Sequence, residues 1–273
     1  MKCAAVKWFV SGMLLAVQGA ASSPPMPAAS AAPRSLLSAA GPLGDPLETT
    51  LSVVTWNLAE CTPLAKDCKL VKACVGESQV ICVGLQEVES LSPRRSESRR
   101  SKLMRKRVRA AFGNTHQCIS QSTLGQTQLL VYVSKGSAAV TVCAEWGVPC
   151  GVGNVLANKG ALGLVLRVGG AHVGVLTAHL AAHQGKVQAR NDDFHRIMAS
   201  SAEHLRGVDG VLFGGDLNYR LDLTKEEVEL SLETDHADLL GCDQVRTRLL
   251  AAAPMPASTA PLFVCCAPLH LRS

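Results

Sequence analysis

Hydrophobic positions along the chain fall into short, dense runs that stop abruptly at polar side chains. Val53-Val54-Thr55-Trp56 ends at Asn57, Val80-Ile81-Cys82-Val83-Gly84-Leu85 at Gln86-Glu87, and Val173-Gly174-Val175-Leu176-Thr177-Ala178 at His179. Val211-Leu212-Phe213 ends, after Gly214-Gly215, at Asp216 and Asn218. Apolar runs of this length read as buried strands. The two glycines predict a tight turn that projects Asp216 and Asn218 from the loop beyond the strand. Leu162 to Val168 and Ala171 to Thr177, joined at Gly169-Gly170, predict a hairpin. Between the runs the period turns helical. Phe194, Ile197, Met198, Ser201 and Leu205 share one helix face, closed by Gly207, and Met104, Val108 and Ala111 form another apolar stripe. Thr224 and Glu227 make a capping box at the start of a third helix. Strands alternating with helices predict an α/β fold.

The ends of the chain depart from this pattern. Lys2 and Lys7 precede the apolar stretch Trp8 to Ala21, so residues 1–21 read as a signal-peptide-like leader, too short and too interrupted for a membrane span. Residues 22–50 read as a disordered Pro/Ala/Ser-rich linker, 51–250 as the folded domain, and 251–273 as an atypical Pro/Ala-rich tail with Cys265-Cys266. With 47% apolar residues the core is amply supplied. Eleven cysteines, none in Cys-x-x-Cys spacing beside histidine, give no zinc signature, and Cys82 reads as a small buried hydrophobe.

Charge sharpens the picture in one place. Arg94 to Arg109 holds nine Lys or Arg against the single acid Glu97, a net +8 in a chain of +5. On the helix carrying Met104 and Val108 this predicts a basic face for an anionic membrane surface, although nucleic acid would also be attracted.

The polar strand ends carry the chemistry. Asn57, Glu87, His179, Asp216 and Asn218 each follow a buried strand, where parallel strands place catalytic groups. Hard oxygen ligands suit Mg²⁺, which takes one or two carboxylates and keeps several waters. An Asx-turn at Asp216 and Asn218 is the plainer alternative.

Taken in order, Thr55-Trp56-Asn57, Gly84-Leu85-Gln86-Glu87, Asn158-Lys159-Gly160, His179 to His183 with Arg190-Asn191-Asp192-Asp193-Phe194, and Gly214 to Arg220 resemble the catalytic domain of the inositol polyphosphate 5-phosphatases, within the endonuclease/exonuclease/phosphatase superfamily. The resemblance implies a four-layer α/β sandwich of two mixed β-sheets flanked by helices (DNase I-like), lacking its last strands. It also implies Mg²⁺-dependent removal of the 5-phosphate from a phosphoinositide or inositol polyphosphate. Carried over residue by residue, Glu87 would ligand the metal and Asn57 orient it. Asp216, with Asn218, would activate water, and His179 would donate to the scissile phosphate. Lys159, Tyr219 and Arg220, with Asn158, would hold substrate phosphate, and His183 would either join them or support its loop. The family's Pro-Ala-Trp-x-Asp-Arg segment and its later Asp-His pair do not occur in the sequence, and Asp235-His236 reads as structural. The expectation is therefore an open apolar sheet edge and slow turnover. A nuclease of the same superfamily and a phosphoinositide-binding fragment without turnover remain as alternatives. The resemblance favours reduced thiols and the cytoplasmic face of membranes, whereas the leader leaves a secretory route open.

Overall fold

The computed structural model describes residues 9–15, 49–62, 64–75, 78–88, 99–137, 140–234, 239, 241–245, 247 and 262–263. The rest of the leader, the linker up to Glu48, Arg94 and Arg95, the Asp235-His236 pair and nearly all of the tail lie outside these residues. Strands β1 (Phe9–Leu15), β2 (Thr49–Asn57), β3 (Val80–Gln86), β4 (His116–Leu124) and β5 (Thr127–Ser134) form one sheet in the order β1-β2-β3-β5-β4. Strands β6 (Val140–Pro149), β7 (Gly160–Val168), β8 (Ala171–His179), β9 (Gly210–Asp216) and β10 (Leu262–Phe263) form the other, in the order β10-β9-β8-β7-β6. Strand β1 pairs antiparallel with β2, and the two-residue β10 runs parallel beside Leu212 and Phe213, so most of the β9 edge has no strand partner among the described residues, as expected of a sheet short of its last strands.

Two crossovers position the site. Helix α1 (Ala65–Val75) carries the chain from β2 to the parallel β3, and α3 (Val187–Ser201) from β8 to the parallel β9. Parallel neighbours need such a crossover, and their C-terminal ends then lie side by side. Helix α2 (Arg99–Phe112) precedes β4, and α4 (Lys225–Thr234) follows β9. The capping box forms at α4, with Thr224 N–H donating to Glu227 Oε2 at 2.7 Å and Glu227 N–H to Thr224 Oγ1 at 3.3 Å.

Strand β3 is buried along its whole length because both of its faces are covered. Val80 and Cys82 face the other sheet, in a layer with Leu129, Leu164, Val175 and Leu212, while Ile81, Val83 and Leu85 face Val71 of α1 and Met104, Val108 and Phe112 of α2. On the far side, Phe194 and Ile197 of α3 pack on Leu176 and Phe213. The result is the expected four layers. Two expectations shift in detail. Helix α3 ends at Ser201, and turns lead on to Gly207 at φ 75°. Gly214 and Gly215 do not turn the chain. They prolong β9 to Asp216, because a Cβ on Gly215 would lie 2.0 Å from the Ala178 carbonyl oxygen, so only glycine allows the pairing there.

The sheets approach closely at Gly84, where a Cβ would lie 2.2 Å from Thr177 Oγ1. Beside it, Gln86 Nε2 donates to Thr177 Oγ1 at 3.0 Å and Thr55 Oγ1 donates to Gln86 Oε1 at 3.2 Å. We expect Gly84→Ala to destabilise the fold by about 1–3 kcal/mol, as overpacking does. Gly210→Ala, with nothing within 4 Å of the new methyl, should shift stability by no more than about 0.5 kcal/mol. Urea midpoints decide, and equal midpoints for the two variants would refute the close approach of the sheets.

Burial pushes the Asp193 carboxyl up from 3.8 to about 6, against the Ala181 N–H that donates to it at 2.9 Å. Since the folded value is the higher one, the folded chain binds the extra proton between the two values, and stability from this group declines as pH rises through that window. Asp193→Asn should remove the decline, so that the variant gains on the wild type between about pH 4 and about pH 7. Parallel urea midpoints across that range would contradict this.

Candidate active site

The two parallel pairs deliver four polar residues to one rim. Asn57 stands beside Gln86 in register, with Glu87 the next residue, and His179 stands beside Asp216. Asn57 Nδ2 donates to Glu87 Oε1 at 3.0 Å within its own sheet and to Asp216 Oδ2 at 2.6 Å in the other. His179 Nε2 lies 3.7 Å from each of those carboxylate oxygens. Ligand atoms of Glu87, His179 and Asp216 all lie within 4.8 Å of one another. His179 and Asp216 are 1% and 6% exposed and Glu87 is 32% exposed, so the cluster has one open side.

Asn57 is held in this orientation by its oxygen. Oδ1 accepts the Ala59 N–H at 2.8 Å, which turns the amide nitrogen toward the carboxylates. Asn57 therefore presents a donor here and aligns the two acids, while His179 is the third residue of the cluster. At Asp216 the Asx-turn and the site coexist: Oδ1 accepts the Asn218 N–H at 3.1 Å and Oδ2 faces the cluster. Asn218, at φ 54°, donates Nδ2 to the Leu180 carbonyl at 3.0 Å and offers Oδ1 to Arg220 Nη2 at 2.9 Å.

The cationic side comes from the second sheet. Gly160 pairs with His179, so the preceding residue, Lys159, reaches the imidazole, and Lys159 Nζ hydrogen-bonds His179 Nε2. Burial lowers the Lys159 ammonium from its ordinary value, opposed by Asp216 and Glu87. Burial first, and Lys159 second, press His179 down to about 4. The buried Nδ1 of the imidazole has no hydrogen-bond partner among the described residues.

Three expected substrate residues lie elsewhere. Tyr219 is corrected outright: it is 1% exposed, its ring sits in the apolar core, and its hydroxyl donates to Asn191 Oδ1 at 2.6 Å, so it ties the β9 loop to α3. Asn158 turns its Oδ1 into its own loop, against Gly151, where a Cβ would come within 2.0 Å. His183 is exposed at φ 78°, and its carbonyl accepts Arg190 Nη1 at 2.6 Å.

Arg190, Asn191 and Asp193 were quoted in the sequence only as parts of a motif, and Gln244 not at all, yet each is buried and bonded to a site loop. A readable signal existed for the first two. Arg190 and Asn191 share the face of Phe194 and Ile197, so polar groups had to lie on the buried side of the helix.

Comparison with known proteins supplies the family and the fold. Synaptojanin-2 of Rattus norvegicus is 26% identical over 163 residues, 56% of this chain and 11% of that protein. Inositol-1,4,5-trisphosphate 5-phosphatase 1 of Schizosaccharomyces pombe is 27% identical over 224 residues, 76% of this chain and 19% of that protein. The chain thus spans no more than about a fifth of either relative. The crystal structure of the inositol polyphosphate 5-phosphatase domain of SPsynaptojanin, in complex with inositol (1,4)-bisphosphate and calcium ion, superposes with a TM-score of 0.63 at 21% identity. It covers 76% of this chain and 63% of that one, which shows the shared DNase I-like fold. Residues 54–253 match the Endonuclease/Exonuclease/phosphatase family 2, and the chain belongs to that family.

Proposed function

We propose that the chain is a Mg²⁺-dependent phosphomonoesterase that removes the 5-phosphate of an inositol phosphate or phosphoinositide. The observation that carries this is the convergence of Glu87, Asp216 and His179 with Lys159 at one rim, acids and phosphate donors facing the same volume. Relatives named as inositol and phosphatidylinositol phosphate 5-phosphatases support the substrate class, and the calcium ion named with the SPsynaptojanin domain supports a divalent cation.

The two carboxylates fit such a cation, which takes oxygen ligands and keeps several waters, and Glu87 is partly open to solvent. Glu87 would hold it, with Asp216 and His179 nearby and Asn57 aligning the acids. When bound, the ion supplies charge neutralisation at the phosphate and the departing inositol oxygen. The chain's own groups do the rest. Asp216, fixed by Asn57 and the Asn218 N–H, takes the proton of the attacking water. Lys159 donates hydrogen bonds to the phosphate oxygens, where charge grows in the transition state, and His179 Nε2 holds the ammonium in place. Arg220, pinned on Asn218, holds a neighbouring ring phosphate with its planar fork of donors.

A lipid substrate is favoured by two exposed surfaces of the chain. Arg99, Lys102, Lys106 and Arg109 form an exposed stripe on α2, with Leu103 41% exposed among them, whereas Arg105 and Arg107 are half-buried. Val152 and Val155, each 76% exposed, and Leu156, 54% exposed, cap the loop that ends at Lys159. This reading places the protein against the anionic, cytoplasmic face of a membrane.

With inositol 1,4,5-trisphosphate and Mg²⁺, we expect phosphate release that chelation abolishes and Mg²⁺ restores. Asp216→Ala and Glu87→Ala should each lower the rate by about a hundredfold to a thousandfold, the scale of losing one preorganised group. Equal rates for wild type and Asp216→Ala would reject the enzyme, and cleavage of a phosphodiester instead would favour the nuclease.

Replacing Lys102, Lys106 and Arg109 together by Gln should weaken binding to phosphatidylserine vesicles about a hundredfold, from about 1 kcal/mol per basic residue, and flatten its salt dependence. Unchanged sedimentation with vesicles would remove α2 from the membrane surface.

A further inference from the structure

The guanidinium of Arg190 is fully buried, yet its hydrogen bonds go to neutral oxygens of two separate loops. Nη1 donates to the carbonyls of Ala181 at 3.3 Å and His183 at 2.6 Å, and Nη2 to the carbonyl of Gln184 at 3.2 Å and to Gln244 Oε1 at 2.8 Å. The guanidinium also lies over the Tyr219 ring, 5.3 Å from its centroid. A fork of donors can bridge several carbonyls at once, which the single ammonium of a lysine cannot do with the same geometry.

Gln244, 1% exposed, receives this bond with the same oxygen that accepts the Arg220 N–H at 3.1 Å. Its Nε2 donates to Asp222 Oδ1 at 2.6 Å and its backbone N–H to the Arg220 carbonyl at 3.0 Å. An antiparallel bridge between Leu221 and Asp243 holds the two segments together. Gln244 thus grips both backbone polar groups of Arg220, whose side chain leaves this anchor for Asn218. On the other side of the clamp, Arg190 holds the loop just beyond Leu180, whose carbonyl receives Asn218 Nδ2.

We propose that Arg190 and Gln244 are paired positioning residues: one buried clamp that locks the loop after His179 to the Arg220 loop and so sets where the Arg220 guanidinium meets a substrate phosphate. The part concerning the substrate rests on the phosphatase reading; the clamp does not. Breaking either member should free both loops together and leave the sheets intact.

Hydrogen exchange tests the clamp directly. In Gln244→Ala and in Arg190→Lys, peptides covering residues 180–186 and 217–222 should both lose protection by about tenfold, the signature of one cooperative local opening. Peptides from β7 and the start of β9 should not change. Protection lost from only one loop, or from neither, overturns the proposal. The substrate part is read from KM for inositol 1,4,5-trisphosphate. Gln244→Ala should raise KM roughly tenfold with little change in kcat, and should add nothing in an Arg220→Ala background, because groups that act through one another are not additive. The double variant Gln244→Glu with Asp222→Asn exchanges donor and acceptor across that bond and should restore both KM and protection. Additive effects of Gln244→Ala and Arg220→Ala would overturn the role at Arg220. A wild-type chain that releases no phosphate would reject the phosphatase reading, while exchange would still decide the clamp.

Discussion

Glu87 and Asp216 come from different sheets, carry like charge and share the amide of a single side chain. Asn57 Nδ2 sits 3.0 Å from one and 2.6 Å from the other. Two carboxylates brought this close repel one another. The amide offsets part of that repulsion while leaving room for a cation on the open side. Such a bridge tolerates an error of only a few tenths of an ångström, since hydrogen bonds weaken quickly beyond about 3.2 Å. The spacing of the two sheets is therefore the constraint on which the site depends. It is set by a glycine facing a threonine, Gly84 against Thr177, and by Gln86 bonding that same threonine.

Backbone strain is distributed accordingly. Among the described residues, the non-glycine residues at positive φ are Ala59, Glu60, Glu87, Asn154, His183 and Asn218, and every one lies in a segment that borders or leads to the rim. A left-handed residue other than glycine costs about 1–2 kcal/mol. These persist because hydrogen bonds fix them: Glu60 N–H to the Glu87 carbonyl at 3.0 Å, Ala59 N–H to Asn57 Oδ1, and Asn218 N–H to Asp216 Oδ1. Each bond also orients a side chain that the cluster uses. The chain leaves its strands abruptly so that the acids turn inward instead of continuing the pleat.

Much of this was legible in the sequence because burial on both faces writes continuous apolar runs, and the polar residue that ends each run marks the rim. The hairpin at Gly169-Gly170 and the capping box at Thr224 were legible for the same local reasons, being fixed by neighbours in the chain. Gly214-Gly215 misled because glycine serves close approach as well as turning, and only the neighbouring strand, with Ala178 behind Gly215, decides between them. Tyr219 misled because adjacent residues on an irregular loop face opposite ways: Arg220 turns to Asn218 while Tyr219 turns into the core. The edge strands β1 and β10 come from segments whose composition says leader and tail, and no local periodicity announces their pairing.

The site is built in two halves that depend on different physics. Its acids sit on strand ends, so their geometry follows from sheet packing, which is apolar and cooperative. Its cations Lys159 and Arg220 sit on loops, and for the loops after His179 and Asp216 the polar face of α3 does the corresponding work through Asp193 on Ala181, Asn191 on Tyr219 and Arg190 on three carbonyls. A helix that buried only hydrocarbon on that face would pack as well against Phe213 but would leave those loop groups without partners, at about 1–3 kcal/mol for each buried polar group. The polar residues of α3 thus anchor the loops after His179 and Asp216, and the helix couples the core of the second sheet to the segment that carries Arg220.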